Sequence, residues 1–412
     1  MSGKRVLIAT LIAALGVLIL FSVVAAEESM LSDKEELGKV IFFDVNLSAN
    51  NNLSCAGCHD PTVGFTGPLS DINEHGAVYE GSVLGSFGNR KPPSAAYATL
   101  SPIFSMDKKG LFTGGNFWDG RATGEKLGNP AADQAQGPFL NPLEQALAQP
   151  ADVVTKVCGG SYGDLFKAVW GDGACDPANV DMAYDDIALS IAAYEDSSEV
   201  NAFSSEYDLS FDGMAKLSQE ERKGFALFQG KGQCKLCHLS GKDALFTDFT
   251  FDNLGIPKNP ENPFYYADPM FNPLGYDWID AGLGGFLATR TDYAEYADAS
   301  MGMHKVPTLR NVAKGSCEAE PDNPDCVIKA YGHNGYFKSL AGIVHFYNTR
   351  DVLDTCPDDD YTEAQALAAN CWPAPEVAEN VNTAELGDLG LTADEEAAIV
   401  AFLKTLSDGY MP

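Results

Sequence analysis

Two five-residue motifs constrain this chain more than anything else in it: Cys55-Ala56-Gly57-Cys58-His59 and Cys234-Lys235-Leu236-Cys237-His238. Both are C-x-x-C-H, the attachment signature of c-type haem. Two thiols three positions apart reach the two vinyl groups on one side of a porphyrin, while the adjacent imidazole coordinates iron from below. The competing readings, a redox C-x-x-C or half of a zinc site, must each explain a histidine at the same offset twice. The motifs therefore predict two covalently bound haem c groups, one on Cys55, Cys58 and His59 and one on Cys234, Cys237 and His238.

The start of the chain agrees with that chemistry. Lys4 and Arg5 precede an apolar run from Val6 to Ala26 that ends in small residues before Glu27, so residues 1–26 read as a signal peptide. Export to the periplasm, or beyond it, is implied, and haem is attached to such motifs outside the cytoplasm in bacteria. Left uncleaved, the run is long enough to act as a membrane anchor; no second apolar stretch approaches spanning length. Charge narrows the partners, because 27 basic residues against 58 acidic ones leave a surface that repels phosphate backbones. Nucleic acid is excluded on that ground. A small basic redox protein is the natural electrostatic match, although acidic residues also serve simply to keep an exported protein soluble.

The six other cysteines, Cys158, Cys175, Cys317, Cys326, Cys356 and Cys371, form three sequence-local couples in loop-like stretches. In an oxidising compartment the expectation is disulfides between nearest neighbours. Capping boxes at Ser32/Glu35, Ser218/Glu221 and Thr392/Glu395 open helices, the last with Ile399, Phe402, Leu403 and Leu406 on one face. The first two boxes each start an amphipathic helix that ends shortly before a C-x-x-C-H, an internal repeat of domain plan. Strand signals are weak. The predicted fold is mainly α, with two cytochrome c-like haem domains (27–205 and 206–412), long irregular loops and little β-structure.

Further motifs carry a family resemblance. They are Ile41-Phe42-Phe43-Asp44 with Leu47-Ser48, Phe117-Trp118-Asp119-Gly120-Arg121, Gln134-Ala135-Gln136-Gly137-Pro138, Asn141-Pro142-Leu143-Glu144, Asn253-Leu254-Gly255-Ile256-Pro257, Lys305-Val306-Pro307-Thr308-Leu309-Arg310-Asn311 and Gly332-His333-Asn334-Gly335. In order and rough spacing the chain resembles the bacterial di-haem cytochrome c peroxidase and MauG family across nearly the whole mature sequence.

The resemblance implies that peroxide reacts at the N-terminal haem and that the C-terminal haem receives or stores electrons. Glu144 matches the glutamate over the reactive iron, where a carboxylate can move a proton from the inner to the outer peroxide oxygen. Gln134 matches the glutamine beside it, and Trp118 the tryptophan between the haems that relays electrons. Arg310 is a candidate partner for a haem propionate, since a guanidinium binds a carboxylate bidentately. At the sixth position of the C-terminal haem, peroxidases place a methionine fourteen residues after the histidine of the His-(Asp/Asn)-Gly motif; from His333 that count reaches Tyr347. MauG has a tyrosine there. Helical geometry favours Tyr347 independently, because Leu340, Val344 and Tyr347 share a face and His345 points the other way. Met301 and Met303 are the alternative ligands. A tyrosinate lowers the reduction potential where a methionine raises it.

His75 is the one histidine upstream of Asn89-Arg90-Lys91-Pro92-Pro93 that could serve as the sixth ligand of the N-terminal haem. The family's calcium site between the haems meets Lys91 where a coordinating asparagine is expected, with Asn89 as the nearby substitute. Three activities follow. The first is a peroxidase reducing hydrogen peroxide with electrons from a small cytochrome c or copper protein. The second is a MauG-like oxidase that modifies aromatic residues of a partner protein. The third is a pure electron carrier, against which Glu144 and Gln134 argue. Relatives are often homodimers, and no feature of the sequence decides that point.

Overall fold

All three capping boxes open helices where the sequence places them. In the computed structural model, which describes Leu31–Met411, Ser32 caps helix Asp33–Phe42, Ser218 caps Gln219–Gln229, and Thr392 caps Ala393–Lys404. The reciprocal bonds run from Ser32 N–H to Glu35 Oε2 (2.6 Å) and from Thr392 N–H to Glu395 Oε2 (2.9 Å). Two further boxes, Ser205/Asp208 and Thr362/Gln365, open the short helices Glu206–Phe211 and Glu363–Ala369.

The repeat seen in the sequence extends to packing. Helix Asp33–Phe42 crosses Val180–Asp196, and helix Gln219–Gln229 crosses Ala393–Lys404. A glycine sits at each crossing. A Cβ on Gly38 would stand 1.9 Å from the Ser190 carbonyl oxygen, and one on Gly224 would stand 1.8 Å from that of Ala398. The two backbones are therefore in contact, a separation only glycine permits. Around the first crossing lies an apolar cluster from Leu37 to Val200, with Phe42, Phe139, Phe166 and Ile187 at its centre. Around the second lies one from Tyr207 to Leu406, with Phe228, Phe246, Phe337 and Phe402. A third cluster draws on both halves, joining Phe104 and Phe112 to Phe251, Leu283 and Leu287. By contact, residues 31–412 form one compact unit.

The fold is mainly α with little β-structure, as expected. Strands occur as two-residue ribbons: Ser105–Met106 antiparallel to Phe112–Thr113, Phe251–Asp252 antiparallel to His304–Lys305, and Asp354–Thr355 parallel to Cys371–Trp372. Disulfides join Cys158 to Cys175, Cys317 to Cys326 and Cys356 to Cys371, the nearest-neighbour pairing, and pin loops between helices. Ile399, Phe402, Leu403 and Leu406 are all buried, but the last helix ends at Lys404, so Leu406 packs from the turn beyond it. Among the described residues no helix is long and apolar enough to cross a membrane. The signal segment 1–26 lies outside the described residues.

The crossings yield a stability prediction. Gly224→Ala should cost about 1–3 kcal/mol, the range for overpacking a filled interior, read as a lower denaturation midpoint. Gly159→Ala, at the end of helix Pro150–Gly159 with open space around it, should leave the midpoint unchanged or raise it slightly.

Candidate functional site

Both C-x-x-C-H motifs fold as the same short turn. Cys55–Gly57 and Cys234–Leu236 are single 3₁₀ turns, and the histidine amide closes each one on the first cysteine, His59 to the Cys55 carbonyl at 2.9 Å and His238 to that of Cys234 at 2.8 Å. This closure puts two thiols and an imidazole on one side of the backbone. Each ring is then fixed from behind, for His59 Nδ1 lies 3.2 Å from the Phe65 carbonyl oxygen and His238 Nδ1 2.7 Å from that of Phe246. A proton on Nδ1 donates to the carbonyl and leaves Nε2 as a lone-pair donor. Burial supports the neutral ring, pulling His59 down to about 4 and lowering His238. Phe65 and Phe246 both have left-handed backbone, φ 58° and 52°. That conformation is strained for a bulky side chain and recurs where function requires it.

The two turns face one continuous cavity. Along its wall Glu144 lies near Cys55 and Cys58, with Arg121 near Glu144, and Tyr347 lies near Cys234 and Cys237; Gln134, Leu340, Ile343 and Val344 line the same cavity. The four motif cysteines are free thiols in a chain whose other six are disulfides. Burial raises all four, Cys58, Cys234 and Cys237 to about 12. Paired neutral thiols, an imidazole with free Nε2 and an apolar cavity fit a porphyrin. They are a poor fit to a redox dithiol, which needs a depressed thiol pKa.

Glu144 and Gln134 reach the cavity from a helix and the turn after it. Asn129 caps helix Pro130–Leu140, which carries Gln134, and the Asn141 side chain and carbonyl hold the turn that carries Glu144. Burial raises the Glu144 carboxyl, and Arg121 with the Asn141 hydrogen bond pulls it back. Arg121 itself lies over the Phe117 ring at 3.8 Å and bonds Asp119 at 2.8 Å. Between these two residues Trp118 donates its Nε1 proton to the Lys91 carbonyl at 2.8 Å, while its own carbonyl accepts from Lys305 N–H at 2.8 Å. The tryptophan is thus fastened to segments from both halves.

Tyr347 lines the cavity in helix Leu340–Thr349 with Leu340 and Val344, the face the helical spacing predicts. Burial, with the neighbouring Cys234 and Cys237, raises its phenol. His345 turns away to Glu396, 3.0 Å from Nδ1. Neither Met301 nor Met303 lines the cavity, and Met303 packs against the Phe104 cluster.

Two of the expected residues sit in unexpected surroundings. His75 follows the short helix Ser70–Asn73 and swings outward, its side chain 65% exposed and its Nδ1 3.0 Å from Glu261; it is not part of the cavity wall. Arg310 does line the cavity, but its guanidinium holds Asp208 bidentately at 2.8 and 2.9 Å, its Nε donates to the Ala244 carbonyl, and it stacks on Phe203 at 4.3 Å. The clamp uses three of the five guanidinium N–H groups, so Arg310 is held rigidly in the cavity wall by Asp208 and Ala244. Sequence reasoning also missed three wall residues. Gln145 is 3% exposed with both amide atoms unbonded, and Glu195 is pushed up to about 8 by burial. His304 stacks on His333 at 3.5 Å. Buried amides, acids and imidazoles carry no local sequence pattern, so nothing marked them beforehand.

Known proteins place this arrangement. Residues 32–216 match the family model described as di-haem cytochrome c peroxidase. The methylamine utilization protein MauG of Paracoccus denitrificans is 35% identical over 381 residues, 90% of this chain and 88% of that protein. Cytochrome-c peroxidase IdrP2 of Denitromonas iodatirespirans is 26% identical over 91% of this chain and 82% of its own length. Among solved structures, the diheme peroxidase BthA of Burkholderia thailandensis superposes with a TM-score of 0.70 at 29% identity, covering 91% of this chain and 86% of BthA. Paired C-x-x-C-H turns opening on one cavity, and full-length likeness to these proteins, make the chain a member of the di-haem cytochrome c peroxidase and MauG family of oxidoreductases.

Proposed function

We propose that this exported protein binds two haem c groups through thioethers at Cys55/Cys58 and Cys234/Cys237, with His59 and His238 as proximal ligands, and uses hydrogen peroxide as oxidant at the N-terminal site. When bound, haem supplies the redox-active iron at which a peroxide bond is cleaved and electrons are held. The chain supplies the proton chemistry and the wiring. Glu144, half-buried in the wall with its carboxyl raised by burial, accepts a proton from one peroxide oxygen and returns it to the other, turning a poor leaving group into water. Gln134 orients the bound molecule by hydrogen bonding, and the Arg121 guanidinium favours the carboxylate that Glu144 must be before it takes the proton and again after it returns it. Trp118, fastened to Lys91 and Lys305, is the aromatic relay between the sites. The single observation that carries this reading is the Glu144 carboxyl beside Cys55 and Cys58, raised by burial, held by Asn141 and faced by Arg121, while Tyr347 stands beside Cys234 and Cys237.

Tyr347 also favours a second reading, in which the oxidising equivalents pass to aromatic residues of a partner protein, as a MauG-like enzyme would direct them. A phenolate ligand disfavours reduction of the C-terminal iron and suits storage of oxidising equivalents. Export through residues 1–26, and a domain division at 205/206 supported by the two apolar clusters, complete the proposal; the acidic surface suits a small basic cytochrome c or copper protein as electron donor.

With both haems in place, Glu144→Gln should lower kcat/KM for peroxide about 10²–10⁴-fold, the usual worth of a positioned acid-base group; unchanged turnover would remove Glu144 from the reaction. Peroxide consumption coupled to a reduced small cytochrome supports the first reading, and a covalent mass change on a co-expressed partner with slow cytochrome oxidation supports the second. In low-temperature EPR of the ferric protein, Tyr347→Phe and Tyr347→Met should each alter the low-spin signal of the C-terminal site. If that signal persists in both variants, Tyr347 is not a ligand and the MauG-like reading falls.

A further inference from the structure

Three lysines line the cavity with buried ammonium groups seated on neutral oxygens. Lys305 Nζ donates to Ser101 Oγ and Asn116 Oδ1 at 2.9 Å and to the Gly115 carbonyl at 2.5 Å. Lys329 Nζ donates to the carbonyls of Val63, Asn311 and Lys314 at 2.8, 3.1 and 3.2 Å. An ammonium has three protons, so both of these are fully bonded. Lys91 differs. Its Nζ reaches two acceptors, Thr66 Oγ1 and the Pro92 carbonyl, each at 2.9 Å, and the third N–H is unspent.

The placement of Lys91 is as informative as its open valence. Its backbone N–H donates to the His333 carbonyl at 2.9 Å and its carbonyl accepts from Trp118 Nε1 at 2.8 Å. Thr66 directly follows Phe65, whose carbonyl holds His59. One residue thus ties the N-terminal turn, the intervening tryptophan and the C-terminal half together in the cavity wall. Lys91 also stands where the family resemblance calls for an asparagine on a calcium ion.

The residues present do not fit calcium, which takes 6–8 oxygen ligands, usually including carboxylates. A divalent ion bonded to Thr66 and Pro92 would sit against the ammonium that already uses those oxygens. Among the described residues the nearby carboxylates are engaged elsewhere: Asp280 holds Arg90 through both oxygens at 2.6 Å, Asp119 holds Arg90 at 2.6 Å and Arg121 at 2.8 Å, and Glu376 accepts from Asp280 N–H at 3.1 Å and lies 3.4 Å from His333 Nε2. The Asn89 carbonyl is taken by Asn262 Nδ2 at 3.0 Å.

We propose that the Lys91 ammonium is the fixed cation of the wall between the two haem sites, directed at the carboxylate groups of the haems, and that this chain binds no calcium there. The proposal rests on the di-haem reading above. Burying an ammonium without a counter-charge is costly, and burial pulls Lys91 down to about 8. Haem propionates are the anions the cavity would receive, and a charge-assisted bond from the unspent N–H offsets that cost.

The test uses protein in which intact mass has already shown two haems per chain, so that failure here is distinct from failure of the di-haem reading. Wild-type protein dialysed into calcium-free buffer should contain far less than one calcium per chain, and EGTA should leave the EPR signals of both haems unchanged. Lys91→Met should shift both midpoint potentials downward, because a positive charge that favours the reduced state is gone. Lys91→Arg, which keeps the charge, should shift them much less. One tightly held calcium per chain whose removal alters the haem spectra would overturn the proposal. So would a Lys91→Met protein, with both haems attached, whose potentials match the wild type.

Discussion

The hydrogen bond from each motif histidine to a backbone carbonyl is the constraint on which the rest of the architecture depends. A hydrogen bond at one imidazole nitrogen fixes the tautomer and the ring orientation in which the other can bind a metal, and here the carbonyls of Phe65 and Phe246 make that bond from left-handed backbone. A phenylalanine at positive φ is tolerated only where the surroundings over-determine it, and both rings are buried in the cluster of their own half. The apolar packing of each half therefore fixes the direction of a carbonyl. That carbonyl fixes a tautomer, and the tautomer fixes which ring nitrogen faces the cavity.

The same logic explains why the halves repeat. A C-x-x-C-H turn must follow a helix closely enough for its thiols to face a cavity that the helix also bounds. Gly38 and Gly224 let that helix lie backbone to backbone on the last helix of its half. Beyond the crossings the halves diverge: one adds Gln134 and Glu144, the other Leu340, Val344 and Tyr347. Similar frames thus carry unlike side chains into the cavity.

Much of this was legible in the sequence because it is local. The capping boxes, the C-x-x-C-H turns, the nearest-neighbour disulfides and the inward face of the Tyr347 helix each depend on spacing within a few residues. What could not be read depends on partners far along the chain. Nothing near Arg310 in the sequence announces Asp208, 102 residues away, which holds it bidentately. His75 turns out to Glu261, 186 residues away, a partner equally unannounced. Lys91 looks like a damaged calcium position until Thr66, Trp118 and His333 are seen around it. The electrostatics of the wall are likewise a product of burial, which raises carboxyls such as Glu195 and lowers ammonium groups such as Lys305, and burial belongs to the fold.

The central claim is that the two motif turns carry thioether-linked porphyrins whose iron is held by His59 and His238. Intact-mass measurement of denatured protein, purified from a host with a working cytochrome maturation system, tests it most directly. The account predicts two haem additions per chain that survive denaturation, falling to one when Cys234 and Cys237 are both replaced by serine. A colourless protein, or fewer than two additions on the wild-type chain, would contradict it.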